Sequence, residues 1–368
     1  QQELRQVAAL LGTRKLITQC HWGGGTPTTL NESQMRLLMD AIASLFHIQP
    51  NAEIAIETNP TSVTEKQLRC LAAIGFNRIS FGVQDLDPAV QQAICRNQTA
   101  AQTRRAIDLC RELGFRGINV DLIYGLPLQQ EQGWTHSIEQ IIDMRPDRIA
   151  IYSYAHLPAR FPHQKPLDAL PRPDAPHKYA LFALARQRLL EAGYLAIGMD
   201  HFALPEDELA HALAQGTLNR NFMGYTVQQA PDQIGFGSSA ISEVADCYAQ
   251  NLKEVEHWCS TVESGNLPVE RGIRLSKDDL IRRWVIRKLM CTLRVDKQAF
   301  QEKFSVDFDA FFAAESEPVK YYAGEGMLTN DTNSVNITPL GAVFIRNICM
   351  VFDGYLKQQK RELFSRTI

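Results

Sequence analysis

The sequence predicts an α/β fold with a parallel sheet and crossover helices, in barrel or open form. Three observations carry this. Apolar segments of strand length alternate with amphipathic helices at βαβ spacing. Each strand-like segment leaves polar residues at or just past its C-terminal end, where α/β proteins hold ligands. The first segment runs into three consecutive glycines, Gly23-Gly24-Gly25, and a helix signal follows at once.

The first strand is expected over 16–20 and delivers the chain to Cys20-His21-Trp22-Gly23-Gly24-Gly25-Thr26-Pro27-Thr28. Adjacent residues without Cβ let backbone approach a ligand closely, although a tight turn would also use one or two of them. Asn31, with Gln34 three residues on, reads as a capping box, and Met35, Leu38, Met39, Ile42 and Leu45 follow at helical spacing. Further strands are expected at 53–60, 78–84, 118–127 and 148–155. Helices at 64–74 (cap Thr64, then Gln67, stop Gly75) and about 101–113 (stop Gly114) lie between them. Six prolines between Pro158 and Pro176 exclude regular structure there and predict an extended segment over the sheet, long enough to help cover a site. A helix at 178–192 leads to a strand at 194–199 carrying Asp200 and His201 at its end.

A second break is expected near 265–272. Beyond it come helices at 279–293, 297–304 and about 309–323, a hairpin at 327–338 turning over 331–334, and a last helix at 340–356, together a small winged-helix-like domain. The division is therefore 1–265 and 266–368. The helix that would read a DNA groove carries one lysine, Lys320, against Asp309, Glu315 and Glu317, where phosphate neutralisation needs several cations. A structural cap is the better reading.

The 38 Lys and Arg against 41 Asp and Glu give no field for nucleic acid or an anionic membrane. The apolar share of 45% is enough for substantial cores. Eight cysteines, scattered singly, point to a reducing compartment rather than a disulfide framework. Gly235-Phe236-Gly237-Ser238-Ser239-Ala240 matches a dinucleotide fingerprint, but Gln228 to Asp232 before it is no strand, so it reads as a glycine-rich turn near a cofactor. His201 with Asp200, and His21 with Cys20, lack a second pair at ligand spacing, so no metal site is expected from them.

The segments GGGTPT, ETNP, GFNRISFGVQD, NVDLIYGLP, YAHLP, GMDHFA, RNFMGYT and RNICMVFD, in this order from Leu16 to the C-terminus, resemble the oxygen-independent coproporphyrinogen III oxidase family of radical S-adenosylmethionine (SAM) enzymes. The resemblance implies a partial (β/α) TIM-like barrel with a mostly helical, winged-helix-like C-terminal domain, and a cytoplasmic monomer served by a flavodoxin-type electron donor. It implies a 5′-deoxyadenosyl radical, generated from SAM by a [4Fe–4S] cluster, that abstracts hydrogen from a propionate β-carbon of coproporphyrinogen III. Loss of CO₂ and an electron leaves a vinyl group, and repetition gives protoporphyrinogen IX in heme synthesis.

The family's cluster hangs on a CxxxCxxC loop upstream of the GGGTP turn, and no two cysteines here fall within eight residues of each other. The expectation is a polypeptide missing its first strand and cluster loop, inactive alone, with a cluster-free paralogue as the alternative. By resemblance Gly24 and Gly25 meet the methionyl end of the first SAM, Glu57 accepts its ribose hydroxyls, and Ala155 and Ile241 lie around it. The family holds a second SAM, for which the matching positions are Gly25, Thr26, Gln84, Arg96 and Asp121. Residues holding the substrate propionates are not legible, with Arg220 and the 219–226 segment as candidates. Two rival functions are an anaerobic heme-opening methyltransferase of the same superfamily and a non-catalytic heme chaperone.

Overall fold

The strands of this chain bury alternate residues, and that alternation positions the site. In the computed structural model, which describes residues 1–356, Ile79, Phe81 and Val83 of one strand and Ile118, Val120, Leu122 and Tyr124 of the next are buried against helices. The intervening Ser80, Gly82, Gln84, Asn119 and Asp121 therefore share the opposite face. These strands belong to a seven-stranded sheet of β1 (Leu16–Trp22), β2 (His47–Thr58), β3 (Arg78–Gln84), β4 (Gly117–Tyr124), β5 (Arg148–Ser153), β6 (Leu195–Gly198) and β7 (His201–Ala203), in the order β1-β2-β3-β4-β5-β7-β6. β1 to β5 pair in parallel, as expected of a partial (β/α) barrel.

The crossover helices form where their end signals stand. Asn31 and Thr64 each make a full capping box, opening Glu32–Leu45 and Glu65–Ala73, and Thr99 does the same for Ala100–Glu112. Met35, Leu68, Leu71, Ile107, Trp134 and Ile138 from successive helices pack on the apolar strand residues to form the main core.

Beyond β5 the structure departs from the expected pattern. The strand expected at 194–199 forms as β6, Leu195–Gly198, but it does not pair with β5, because β7 comes between them. The chain reverses at Met199 (φ 46°) and Asp200, and β7 pairs antiparallel with β5, Ala150 opposite His201. His201 is thereby carried onto the inner face of the sheet. The proline-rich stretch contains a 3₁₀ helix, Pro162–Ala169, rather than extended chain alone. It starts at a proline, where the missing N–H is of no consequence, and Gln164 fastens it by donating to the Ala155 carbonyl at 3.0 Å.

Two small units were not foreseen: a hairpin of β8 (Asn219–Asn221) and β9 (Gly224–Thr226), and an antiparallel sheet of β10 (Ile241–Val244), β11 (Cys247–Asn251) and β12 (Val269–Arg274). The second lies across the boundary expected at 265/266. β12 hydrogen-bonds to β11 across it, so the two parts share a sheet. A second core gathers Ile281, Val285, Leu289, Phe300, Phe308, Phe312, Val335, Ile348 and Phe352 around β13 (Arg294–Asp296), β14 (Leu328–Asn330) and β15 (Ser334–Ile337). The expected helix at 309–323 is broken into Phe308–Phe311, a 3₁₀ turn at Ala313–Glu315, and Ser316–Gly324. Phe308 and Phe312, four residues apart on one face before the break, both reach the core, their rings 4.9 Å apart. The expected last helix is divided at Phe344 into Pro339–Val343 and Ile345–Val351, with Phe344 stacked on Tyr179. Residues 357–368 of the expected C-terminal domain lie outside the described residues. No described helix is long and apolar enough to cross a membrane.

Candidate functional site

Register brings the polar inner face together. Glu57 stands opposite Ser80, Ser80 opposite Asn119, and in the next row Gly82, Asp121, Ala150 and His201 stand side by side. Ser80 Oγ donates to Asp121 at 2.8 Å and Asn119 Nδ2 to the other carboxylate oxygen at 2.8 Å. Burial nevertheless pushes the Asp121 carboxyl up to about 6, the nearby charge of Glu57 adding to the rise.

Glu57 is the opposite case. Its Oε1 lies 3.0 Å from His21 Nε2 and its Oε2 3.4 Å from the Gly24 N–H, and the His21 hydrogen bond is the main reason its carboxyl is held below the usual range. The carboxylate is about half exposed, at 49%. It is ionised and free to accept further donors.

The glycine turn is built around this pair. A Cβ on Gly23 would fall 2.6 Å from His21 Nε2 and 2.9 Å from Glu57 Oε1, so only glycine allows the contact. Gly24 (φ 81°) and Gly25 (φ 43°) adopt left-handed backbone with open space where a Cβ would point. Thr26 follows, its carbonyl accepting from the Thr29 N–H at 3.0 Å. At the end of β3, Gln84 has positive φ (69°), and its buried Oε1 has no hydrogen-bond partner among the described residues. Arg96 Nη1 donates to the Gly82 carbonyl at 2.5 Å, and burial lowers its pKa. A Cβ on Gly82 would fall 2.9 Å from Gln84 Nε2.

Gly24, Gly25, Glu57, Gln84, Arg96 and Asp121 thus gather on the turn and the inner strand ends, with Thr26 continuing the turn. Ala155 lies on the adjoining loop after β5. Ile241 opens β10, a strand of the separate antiparallel sheet, where it pairs with Gln250 of β11. The glycine-rich turn before it is tied to Glu3 and to Asn251 at the end of β11, with Gly237 N–H donating to Glu3 at 2.8 Å and the Gly237 carbonyl accepting from Asn251 at 2.9 Å.

Sequence reasoning passed over His21 as a partner of Glu57, and Ser80 and Asn119 as supports of Asp121. The signal was present: each sits two residues from a chosen inner-face position on the same or a neighbouring strand, where side chains share a face.

No group of three or more His, Cys, Asp or Glu able to hold a metal ion occurs among the described residues. Burial pushes Cys20 and Cys291 up to about 11 and Cys349 up to about 12, which keeps them as protonated packing thiols. The described residues therefore do not fit a [4Fe–4S] cluster. They do fit SAM, since an unpaired amide oxygen, a buried carboxylate and an ionised carboxylate beside bare backbone offer acceptors to an ammonium, a sulfonium and ribose hydroxyls.

The raised pKa of Asp121 has a sign that can be read as stability. A carboxyl that titrates higher in the fold than in the unfolded chain stabilises the fold at low pH, and that contribution is lost as pH rises from about 4 through about 6. In the ligand-free protein Asp121→Asn should therefore be more stable than wild type at pH 8, by up to about 3 kcal/mol, and equal to it near pH 3.5. Urea unfolding at both pH values checks this; a difference independent of pH would refute it.

Residues 1–141 match the Radical SAM superfamily, and 275–344 match the HemN C-terminal domain. The oxygen-independent coproporphyrinogen III oxidase of Pseudomonas aeruginosa is 38% identical over 368 residues, covering 100% of this chain and 80% of that protein. The enzyme of the same name from Escherichia coli K12 is 40% identical over 369 residues with the same coverage. The solved E. coli coproporphyrinogen III oxidase (HemN), described as a radical SAM enzyme, superposes with a TM-score of 0.92 at 39% identity, covering 96% of this chain and 81% of that one.

Proposed function

From the premise that the chain belongs to the oxygen-independent coproporphyrinogen III oxidase family, we propose that the glycine turn and inner strand ends are its SAM-binding site. The protein is a radical SAM oxidoreductase of heme synthesis acting on coproporphyrinogen III, and SAM and a [4Fe–4S] cluster are the family's cofactors. Neither a heme-opening methyltransferase nor a heme chaperone is favoured by these relationships.

The cofactor pair supplies hydrogen-atom abstraction when bound; binding, orientation and exclusion of water fall to the protein. Glu57, fixed by His21, accepts the ribose hydroxyls of one SAM. The bare backbone of Gly24 and Gly25 meets its methionyl end, with Ala155 and Ile241 around it. A second SAM lies against Gly25, Thr26, Gln84, Arg96 and Asp121, its ammonium satisfying the unpaired Gln84 oxygen and the buried Asp121, its carboxylate meeting Arg96. A flavodoxin-type donor, a monomeric state and a cytoplasmic location complete the reading. The observation that carries the site is that Glu57 stands in register with Ser80, which donates to Asp121, so that carboxylates from two strands face one another below a turn where a side chain at Gly23 would collide.

With a cluster-binding CxxxCxxC segment supplied upstream of the glycine turn, anaerobic incubation of coproporphyrinogen III with SAM and a reductant tests the activity, with protoporphyrinogen IX and 5′-deoxyadenosine as the expected products; residues 1–368 alone should give neither. Formation of 5′-deoxyadenosine with no vinyl product would overturn the substrate assignment. The site has its own test in Gly23→Ala. Its methyl group must displace the His21–Glu57 pair, and loss of one charge-assisted hydrogen bond predicts SAM binding about tenfold to a hundredfold weaker. Equilibrium dialysis measures it, and unchanged affinity would reject the assignment.

A further inference from the structure

An arginine-lined cavity of about 160 Å³ opens beside β1, between the β8–β9 hairpin, the β10–β12 sheet and the helix Lys277–Thr292. Its wall includes Gln19, Arg220, Asp232, Glu243, Arg283 and Arg287. The two acids already have cations. Asp232 is paired with Arg14 and accepts the Ala245 N–H at 3.0 Å, while Glu243 takes Arg283 at 2.6 Å and lies 3.6 Å from Arg287.

Arg220 is left over. Its guanidinium lies 5.9 Å from the Tyr225 ring centroid and within electrostatic range of Asp200, which Arg346 already holds; it makes no ion pair or hydrogen bond among the described residues, and its buried Nε has no partner. A buried guanidinium nitrogen without an acceptor is costly, and the planar fork is shaped for a carboxylate. The cavity is smaller than the roughly 300 Å³ and more that whole small-molecule ligands fill. It accommodates an acidic arm, not a ring system. The charge of Arg220 also reaches Tyr152 of β5, which feels Glu57 and Asp121 as well, so the arginine lies within electrostatic range of the inner face.

Resting on the substrate assignment above, we propose that Arg220, backed by Arg283 and Arg287, forms a carboxylate subsite that receives a propionate arm of the tetrapyrrole. The same chemistry would suit the methionyl carboxylate of SAM, so the test must separate the two.

Coproporphyrin III, the stable oxidised form of the substrate, is titrated by fluorescence into wild type, Arg220→Ala, Arg220→Lys and Arg287→Gln, with SAM affinity measured in parallel. Arg220→Ala should weaken coproporphyrin III about tenfold to a hundredfold, with Arg220→Lys recovering part of the loss. Arg287→Gln, at a half-exposed position that tolerates change, should weaken it by a smaller factor. SAM affinity should not move, and coproporphyrin tetramethyl ester should bind wild type and Arg220→Ala alike. Equal coproporphyrin III affinity in wild type, Arg220→Ala and Arg287→Gln would overturn the subsite while leaving the substrate assignment intact, as would a loss confined to SAM. Failure of wild type itself to bind coproporphyrin III would overturn the assignment and the subsite with it.

Discussion

Replacing Glu57 by alanine is expected to cost SAM binding about tenfold to a hundredfold and, in the protein supplied with a cluster-binding segment, to suppress 5′-deoxyadenosine formation and tetrapyrrole conversion together. The carboxylate is held ionised by His21 at 3.0 Å and steadied by the Gly24 N–H, yet half of it remains open. Removing it deletes the charged acceptor proposed for the ribose, about 1.5–3 kcal/mol for such a hydrogen bond, and also frees His21 and the glycine turn. Glu57→Gln keeps the shape and one acceptor and should fall between alanine and wild type. Asp121→Ala should differ in kind. On the proposed assignment of Asp121 to a second SAM, uncoupled 5′-deoxyadenosine should survive better in it than in Glu57→Ala. Equal retention of wild-type turnover in both variants would remove these residues from the site without touching the family relationship.

Arg148→Ala should produce the largest loss of stability, about 3–5 kcal/mol. At the N-terminal end of the inner face, Arg148 Nε reaches both oxygens of Asp207 at 3.0 and 2.9 Å, and its Nη2 reaches Glu208 at 3.1 Å. Arg78 joins Glu208 to Glu53, the latter contact at 2.8 Å. Asp207 is 5% exposed, so without Arg148 its charge is buried with only the Leu209 N–H at 2.7 Å to compensate. The network ties β2, β3 and β5 to the helix Glu208–Ala214, and its loss should lower the urea midpoint of the whole barrel. The double variant Arg148→Met with Asp207→Asn should recover much of the loss, since removing both partners avoids the uncompensated charge. If Arg148→Ala shifted stability by less than about 1 kcal/mol, the network would be no stronger than a surface ion pair.

Where local chemistry decides an element, the sequence was sufficient. β3 at Arg78–Gln84 and the helix Lys297–Phe304 fall where periodicity and end signals place them, and the boxes at Asn31 and Thr64 close as read. Their determinants lie within a few residues of each other. β12, Val269–Arg274, is exposed along its whole length and has no apolar alternation to announce it. Only pairing with β11 makes it a strand. The helix expected at 309–323 failed for a related reason: helical spacing puts Phe308 and Phe312 on one face, both against Phe300 with ring separations of 5.2 and 6.0 Å, but it cannot show that the chain turns after Phe312 and carries Glu315 to Arg282, 3.1 Å away.

The site divides along the same line. By itself the sequence determined the glycine turn, the polar residues at the strand ends and the family to which they belong, because each is written in contiguous residues. The tertiary structure decided that His21 fixes Glu57, that Ser80 links the Glu57 row to Asp121, that His201 enters the inner face on an antiparallel strand, and that Arg220 is left without an acceptor beside a cavity. Those facts depend on register and on burial between residues far apart in the chain. A one-residue slip in pairing would turn each side chain to the other face without altering the local sequence signals.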